Sequence, residues 1–333
     1  MKKALFIGGT GTISGACSAL AAASGFDLTV LNRGRSPNLP NGVKQITADI
    51  NDEAAVARLI DGMGFDVVAD FIAFTPEQAE RSIRLFSGKT RQYIFVSSAS
   101  VYQKPLSYAV ISEGTPLANP YWQYSRNKIA IEELLLKEYR DNGFPITIVR
   151  PSHTYGDKSI PVCLHGNRGS FQVVRRIMDG KPVVVPGDGS TWWTVTHNTD
   201  FAKGFVGLMG NVHAIGEAFH ITSDESLTWN GIYDIIGDVL GKKAIKSHVS
   251  TDMLRKVNPE WEGGLRGDKC VSVRFDNRKI KRAVPDFCAA VRFDQGAART
   301  LAYILSHPEC QTPDPEFDAI CDRIVMAAER FAI

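Results

Sequence analysis

Short runs of apolar and β-branched residues alternate with helical patterns through the first half of the chain. Ala4 to Ile7, Leu28 to Leu31, Val43 to Thr47, Val67 to Phe71, Tyr93 to Ser97 and Ile146 to Val149 read as strands. Between them, Ala16 to Ser24, Glu53 to Asp61, Pro76 to Phe86 and Ser125 to Tyr139 carry helical residues, the last with Ile129, Leu136 and neighbouring leucines as a buried stripe. Strand and helix in strict alternation predict an α/β fold with a doubly wound parallel sheet and right-handed crossovers.

After Arg150 the texture changes to Gly, Pro, Trp and short interrupted patterns, with loop-like stretches at Gly156 to Ser170 and Pro186 to Ser190. This half is expected to form a smaller C-terminal lobe. Phe219 to Thr222 reads as one further strand returning to the main sheet, so the lobe is assembled from two segments, 156–195 and 224–333, beside a main domain of 1–155 with a returning piece near 196–223. Pro315 to Ile333 has the spacing of an amphipathic helix. No internal repeat or low-complexity tract interrupts the pattern.

Composition narrows the class. With 333 residues, 44% apolar and 22% charged, the chain can bury a large core. Its 38 basic and 36 acidic side chains leave a formal charge of +2, too little for a broad field toward nucleic acid or anionic lipid. Neither is expected as a partner. Six cysteines occur without a Cys-x-x-Cys pair, which points to a reducing, cytoplasmic setting and to no metal site. Lys2-Lys3, the apolar run after them and Ala16 to Ala23 imitate a secretory signal, but Gly8, Gly9 and Gly11 interrupt the run, and a second strand-like segment follows. No stretch reaches the roughly 18 apolar residues of a membrane span.

The first chemistry lies in Ile7-Gly8-Gly9-Thr10-Gly11-Thr12-Ile13-Ser14-Gly15, a glycine turn directly between a strand and a helix. Gly8 permits the tight turn, Gly11 lets backbone approach a pyrophosphate, and the helix start, with Thr12 and Ile13, offers N–H donors. Serine stands at 14, where the dinucleotide pattern has its third glycine. At the end of the second strand, where an NAD enzyme places an acid against the ribose, the chain reads Leu31-Asn32-Arg33-Gly34-Arg35. Arg33 and Arg35 suit a 2′-phosphate, which favours NADP over NAD, unless they are simply solvated. Two roles are open to Asp49: contact with the adenine, or a cap for the helix beginning near Asn51.

The second is Tyr124-Ser125-Arg126-Asn127-Lys128, whose i, i+4 spacing sets Tyr124 and Lys128 on one helix face. A neighbouring ammonium and a cationic nicotinamide would favour the phenolate, making Tyr124 a usable proton donor or acceptor. The apolar strand Ile94-Phe95-Val96 ends in Ser97-Ser98-Ala99-Ser100-Val101-Tyr102 at the sheet edge where such folds bind ligands. Ser97, Ser100 and Tyr102 also have the ordinary reading of polar residues that end a strand.

These pieces, followed by Ile148-Val149-Arg150-Pro151, Thr154-Tyr155-Gly156 and Gly187-Asp188-Gly189-Ser190, occur in the order of extended short-chain dehydrogenases/reductases, which the chain resembles over about residues 1–290. Sugar-nucleotide epimerases and dehydratases are its best-known members. The resemblance implies a Rossmann sheet, a dinucleotide-binding first domain and a substrate-binding lobe. It also implies that Ser98 hydrogen-bonds the reacting oxygen, Tyr124 exchanges its proton, and Lys128 holds the nicotinamide ribose. A homodimer is expected on the same ground.

The chain departs from that pattern in three places. Dehydratases carry an Asp-Glu pair after the catalytic hydroxyl; Ala99 and Ser100 stand there instead, which disfavours elimination of water. Trp193 falls where the arginine that clasps a nucleotide diphosphate is expected, and it is read either as a stacking face for a sugar or base or as a core residue. His153 replaces an asparagine. Arg266, in Leu265-Arg266-Gly267-Asp268, resembles a distal Arg-x-Gly-Asp element shortened by one residue and is a candidate phosphate ligand. Candidate substrate contacts are therefore Ser100, His153, Trp193 and Arg266. His165 and His197 are two further histidines considered for the cleft. The expected function is an NAD(P)-dependent oxidoreductase or epimerase acting on a secondary hydroxyl or keto group of a sugar or sugar nucleotide. Its alternatives are an NADPH-dependent carbonyl reductase of a non-nucleotide substrate and a non-catalytic dinucleotide-sensing or RNA-associated protein.

Overall fold

The computed structural model describes residues 1–35 and 39–331. Its first half runs β1 (Lys3–Ile7), α1 (Thr12–Ala23), β2 (Asp27–Asn32), β3 (Lys44–Thr47), α2 (Glu53–Leu59), β4 (Val67–Asp70), α3 (Pro76–Phe86), β5 (Tyr93–Val96), α4 (Gln123–Asn142) and β6 (Ile146–Pro151). The chain then leaves the sheet through β7 (His153–Tyr155), α5 (Phe171–Met178), β8 (Val183–Pro186), β9 (Trp192–Trp193), β10 (Val195–His197) and α6 (Asn198–Leu208), and returns as β11 (Ala218–Ile221). The remainder comprises β12 (Leu227–Thr228), α7 (Trp229–Val239), β13 (Lys246–Val249), α8 (Thr251–Val257), α9 (Trp261–Gly264), α10 (Arg278–Ala283), α11 (Phe293–Ser306) and α12 (Pro315–Phe331).

Seven strands form one parallel sheet in the order β11-β6-β5-β4-β1-β2-β3. The predicted doubly wound sheet and its returning strand are both present. Every residue of β4, β5 and β6 is buried, as continuous apolar runs require when helices cover both faces of a sheet. Alternation along β1 divides the core. Ala4 and Phe6 join Cys17 and Ala21 of α1 and Phe201 and Phe205 of α6. Leu5 and Ile7 join Val56 of α2, Ala79 of α3 and Ile131 and Leu135 of α4. A third apolar cluster, with Val184, Trp193, Trp229, Phe293 and Phe317, fills the C-terminal half. The strand order reverses between β1 and β4, so the C-terminal ends of these parallel strands open onto the crevice where doubly wound folds take ligands.

Two local departures from the predicted elements bear on that crevice. Helix α1 begins at Thr12, four residues before the helical composition becomes obvious, because Ser14 Oγ accepts the Gly11 N–H at 2.8 Å and starts the helix at the glycine turn. In the C-terminal half, α9 runs directly into a π-helical turn, Leu265–Lys269, a rare conformation frequent at functional sites.

Candidate active site

At the mouth of the crevice lies a cleft of about 730 Å³, lined by Gly8, Gly11, Thr12, Ile13, Asn32, Arg33, Arg35 and Asp49 among others. Gly8 and Gly9 both have positive φ, +109° and +70°. A Cβ on Gly9 would sit 2.5 Å from Val30 Cγ1, so the turn closes against β2 only because no side chain intervenes. This glycine was not singled out from the sequence, since its constraint comes from the neighbouring strand. Ser18 Oγ donates to the Gly9 carbonyl at 2.8 Å and anchors the loop to α1.

Asn32 lies at the end of β2, at the corner of the cleft where the ribose is expected. Its Oδ1 accepts from the Gly34 N–H at 2.8 Å and from Gln45 Nε2 at 3.0 Å, while its buried Nδ2 has no partner among the described residues. The corner therefore presents a donor and two arginines where an acid would accept from hydroxyls. Asp49 Oδ1 accepts from the backbone and side chain of Asn51, at 2.9 and 3.0 Å, and faces the cleft. It is not the cap of α2, because Asp52 accepts the Ala55 N–H there.

Lys128 is almost fully buried. Its ammonium donates to the carbonyls of Ala73 (2.7 Å) and Val96 (2.8 Å) and lies 4.7 Å from the ring centres of Phe74 and Phe95. Burial lowers its pKa to about 8, opposed by Asp70 and Glu132. With two of its three hydrogens directed to carbonyls, one remains for a ligand. Tyr124, on the first turn of α4, has its phenol raised above the usual range by burial, pulled back by the Ser98 hydroxyl and raised again by Asp268. The phenol of the protein alone is therefore raised and not lowered, and Lys128 has no part in the shift, contrary to the expectation that the neighbouring ammonium favours the phenolate.

A second cleft, about 350 Å³, adjoins the first at Ile13 and brings together Ser98, Ser100, Tyr124, His153, Trp193, Asp268 and Lys269. Trp193 is only 2% exposed, stacks on Trp229 with ring centres 5.4 Å apart, and donates its indole N–H to His153 Nδ1 at 3.2 Å. Its face is taken, so it backs the cleft as a core residue and offers no stacking platform. Because Nδ1 accepts, the neutral His153 carries its proton on Nε2 and is a donor there. Burial, with Lys269 and His165 nearby, pushes the His153 pKa down to about 3.

Arg266 is not brought to this cleft. It lines a separate cavity of about 320 Å³ with Lys104, Tyr121 and Thr251, and pairs with Glu262 (3.3 Å) and more distantly with Asp252 (3.8 Å). Residues two apart on a helical turn point to nearly opposite sides, and Asp268 of the same π-helical turn faces the cleft lined by Ser98 and Tyr124 instead. Asp268 and Lys269, 3.7 Å apart, were not foreseen. Nothing in their local sequence marks them as facing Tyr124. His165 is exposed and bonds the Gly166 carbonyl, and His197 caps α6, so neither joins His153 in the cleft.

A dinucleotide crevice at the strand reversal, continuous with a Ser-Tyr cleft over a buried lysine, defines an enzyme fold of the extended short-chain dehydrogenase/reductase type. Residues 4–222 match the family described as "NAD dependent epimerase/dehydratase family", and the chain belongs to that family. Among curated proteins it is 29% identical to the chloroplast stem-loop binding protein of 41 kDa b of Arabidopsis thaliana, over 69% of this chain and 61% of that one. It is 27% identical to the 2′-dehydrokanamycin reductase of Streptomyces kanamyceticus, over 72% and 67%. These alignments therefore span about two-thirds of each relative's length or less. The fold is similar to UDP-glucose 4-epimerase from Bifidobacterium longum in complex with NAD+ and UDP, with a TM-score of 0.73 at 19% identity over 92% and 99% of the two chains. It is also similar to the epimerase Mth375 of Methanothermobacter thermautotrophicus, with a TM-score of 0.75 at 18% identity over 92% and 93%. Among the described residues no helix is long and apolar enough to cross a membrane.

Proposed function

We propose that this chain is an NADP-dependent oxidoreductase that interconverts a secondary hydroxyl and a keto group on a sugar-like substrate lacking a nucleotide diphosphate. One observation carries the reading: Ser98 and Tyr124 face a single cleft, adjoining the dinucleotide crevice, whose back wall is the buried Trp193 where the diphosphate-clasping arginine is expected. A bound nicotinamide would supply the hydride acceptor or donor. Tyr124 Oη takes the hydroxyl proton as the carbinol C–H gives up hydride, and returns that proton in the reducing direction. Ser98 and the His153 Nε2–H serve as donors to substrate oxygens, and Lys128 holds its remaining N–H toward the ribose. NADP is supported by Arg33, Arg35 and the Nδ2 of Asn32, which has no partner among the described residues, at the expected ribose corner. At about 350 Å³ the cleft is near the small end of the roughly 300–1,000 Å³ of ligand pockets, which suits a compact molecule. The name of the kanamycin-related reductase supports a nucleotide-free amino-sugar or similar ketone.

Epimerisation is the second reading, favoured by the family match and by the likeness to UDP-glucose 4-epimerase. Incubating the protein with NADPH and a panel of keto-sugars separates the two: a reductase consumes NADPH mole for mole with ketone, whereas an epimerase returns its hydride internally. Tyr124→Phe should abolish turnover and leave NADPH binding nearly intact. Unchanged turnover would overturn the assignment. Absence of hydride exchange across the whole panel, with nucleic acid bound instead, would favour the non-catalytic reading that the name of the stem-loop binding relative supports.

A further inference from the structure

A hydroxyl has one hydrogen to give and two lone pairs with which to accept, so a chain of serines is directional once one end is set. Ser125 Oγ donates to Ser100 Oγ at 2.8 Å. Ser100 Oγ lies 2.9 Å from Ser98 Oγ, and the Ser100 backbone N–H donates to Ser98 Oγ at 3.2 Å. Ser100 is 3% and Ser125 0% exposed, so bulk water does not compete for either hydroxyl. With one lone pair taken by Ser125, Ser100 directs its own hydrogen to Ser98. Ser98 then accepts twice, and its single hydrogen is left for the cleft, which Tyr124 lines with it.

The backbone holds this row in place. Ser98 caps the one-turn 3-10 helix Ala99–Val101, which orients the Ser100 N–H toward it. Asn119 Nδ2 donates to the Ser100 carbonyl and to the Gly267 carbonyl, both at 2.7 Å, and ties the turn to the segment that carries Asp268. Ser125 directly follows Tyr124 on α4, so the helix that presents the phenol also presents the first donor of the row.

On the reading that Tyr124 exchanges the substrate proton, we propose that Ser125 and Ser100 are positioning residues, forming a one-way hydroxyl relay that holds Ser98 as a donor toward the Tyr124 oxygen and the reacting substrate oxygen. Ser100, although it lines the cleft, thereby acts on the reacting oxygen through Ser98. The relay keeps the one Ser98 hydrogen on the side of these two oxygens, where it stabilises whichever of them carries the negative charge as the proton passes between them.

The test requires no substrate. The ultraviolet absorbance of tyrosinate is titrated with NADP+ present, and subtracting the Tyr124→Phe curve isolates one phenol among the nine tyrosines. Ser100→Ala and Ser125→Ala should each raise the Tyr124 midpoint by about 0.5 to 1 pH unit, a roughly 3- to 10-fold weaker ionisation, as expected for loss of one oriented hydrogen bond. NADP+ affinity, read from tryptophan fluorescence, should stay unchanged and report an intact fold. Ser100→Thr, which keeps the hydroxyl, should restore the midpoint; should its methyl prevent folding, Ser125→Ala decides alone. Unshifted midpoints in folded alanine variants overturn the relay. Because this titration is independent of turnover, its failure is distinguishable from survival of activity in Tyr124→Phe, which would overturn the proposed function instead.

Discussion

Acid should destabilise this protein early, and a defined part of that loss belongs to His153. In the folded chain its Nδ1 accepts the Trp193 indole N–H at 3.2 Å, and burial holds its pKa at about 3. In the unfolded chain an ordinary histidine titrates near 6.5. Between these values the unfolded state binds a proton that the folded state refuses, so stability falls as pH falls, from about 6.5 down to about 3. Each pH unit in that window costs about 1.4 kcal/mol, or about 2 kcal/mol by pH 5, a sizeable share of the roughly 5–15 kcal/mol of a typical fold. The perturbation is His153→Asn, which keeps an acceptor for the indole and does not titrate. Urea unfolding of both proteins at pH 7.5 and pH 5 gives two drops in stability; carboxylates and the other histidines contribute equally to each and cancel. The drop should be about 2 kcal/mol smaller in the variant. Equal drops would refute a neutral, acceptor-locked His153.

Two further outcomes follow from buried charge and from the ribose corner. Glu132 accepts from Arg150 Nε at 3.0 Å, from Arg150 Nη2 at 2.5 Å and from Ser97 Oγ, so Glu132→Ala leaves a buried guanidinium with Tyr102 Oη at 3.2 Å and should cost about 3–5 kcal/mol in urea unfolding. Replacing both partners by methionine should recover most of that loss, and a mild Glu132→Ala phenotype would contradict the argument from an unpaired charge. Arg33→Ala and Arg35→Ala should each weaken NADPH binding about tenfold while sparing NADH, as measured by calorimetric titration, and equal losses for the two cofactors would count against a 2′-phosphate contact.

Much of the fold was legible because it is written locally. Apolar runs reported the strands buried on both faces, the glycine turn reported the first crossover, and i, i+4 spacing put Tyr124 and Lys128 on one face of α4. These signals depend on backbone geometry within a few residues, and the chain carries them whatever it packs against. The third-glycine departure was visible as Ser14, yet its consequence, a hydroxyl that starts α1 by accepting the Gly11 N–H, required the folded turn.

Tertiary packing decided everything that depends on which partner a side chain meets. Periodicity announces that a residue is buried but carries no information about the opposing surface. Lys128 is held by the Ala73 carbonyl, 55 residues away, and Trp193 is sealed by Trp229 and by His153, 40 residues away. Gly9 is required by Val30 of the adjacent strand, and one π-helical turn sends Asp268 into the cleft with Tyr124 while carrying Arg266 to another cavity. The sequence by itself therefore determined the sheet, the crevice and the candidate residues Ser98, Tyr124 and Lys128. Only the folded chain determined the wall of the cleft, the tautomer of His153 and the direction of the serine row, because those are set by contacts between segments that no local pattern links.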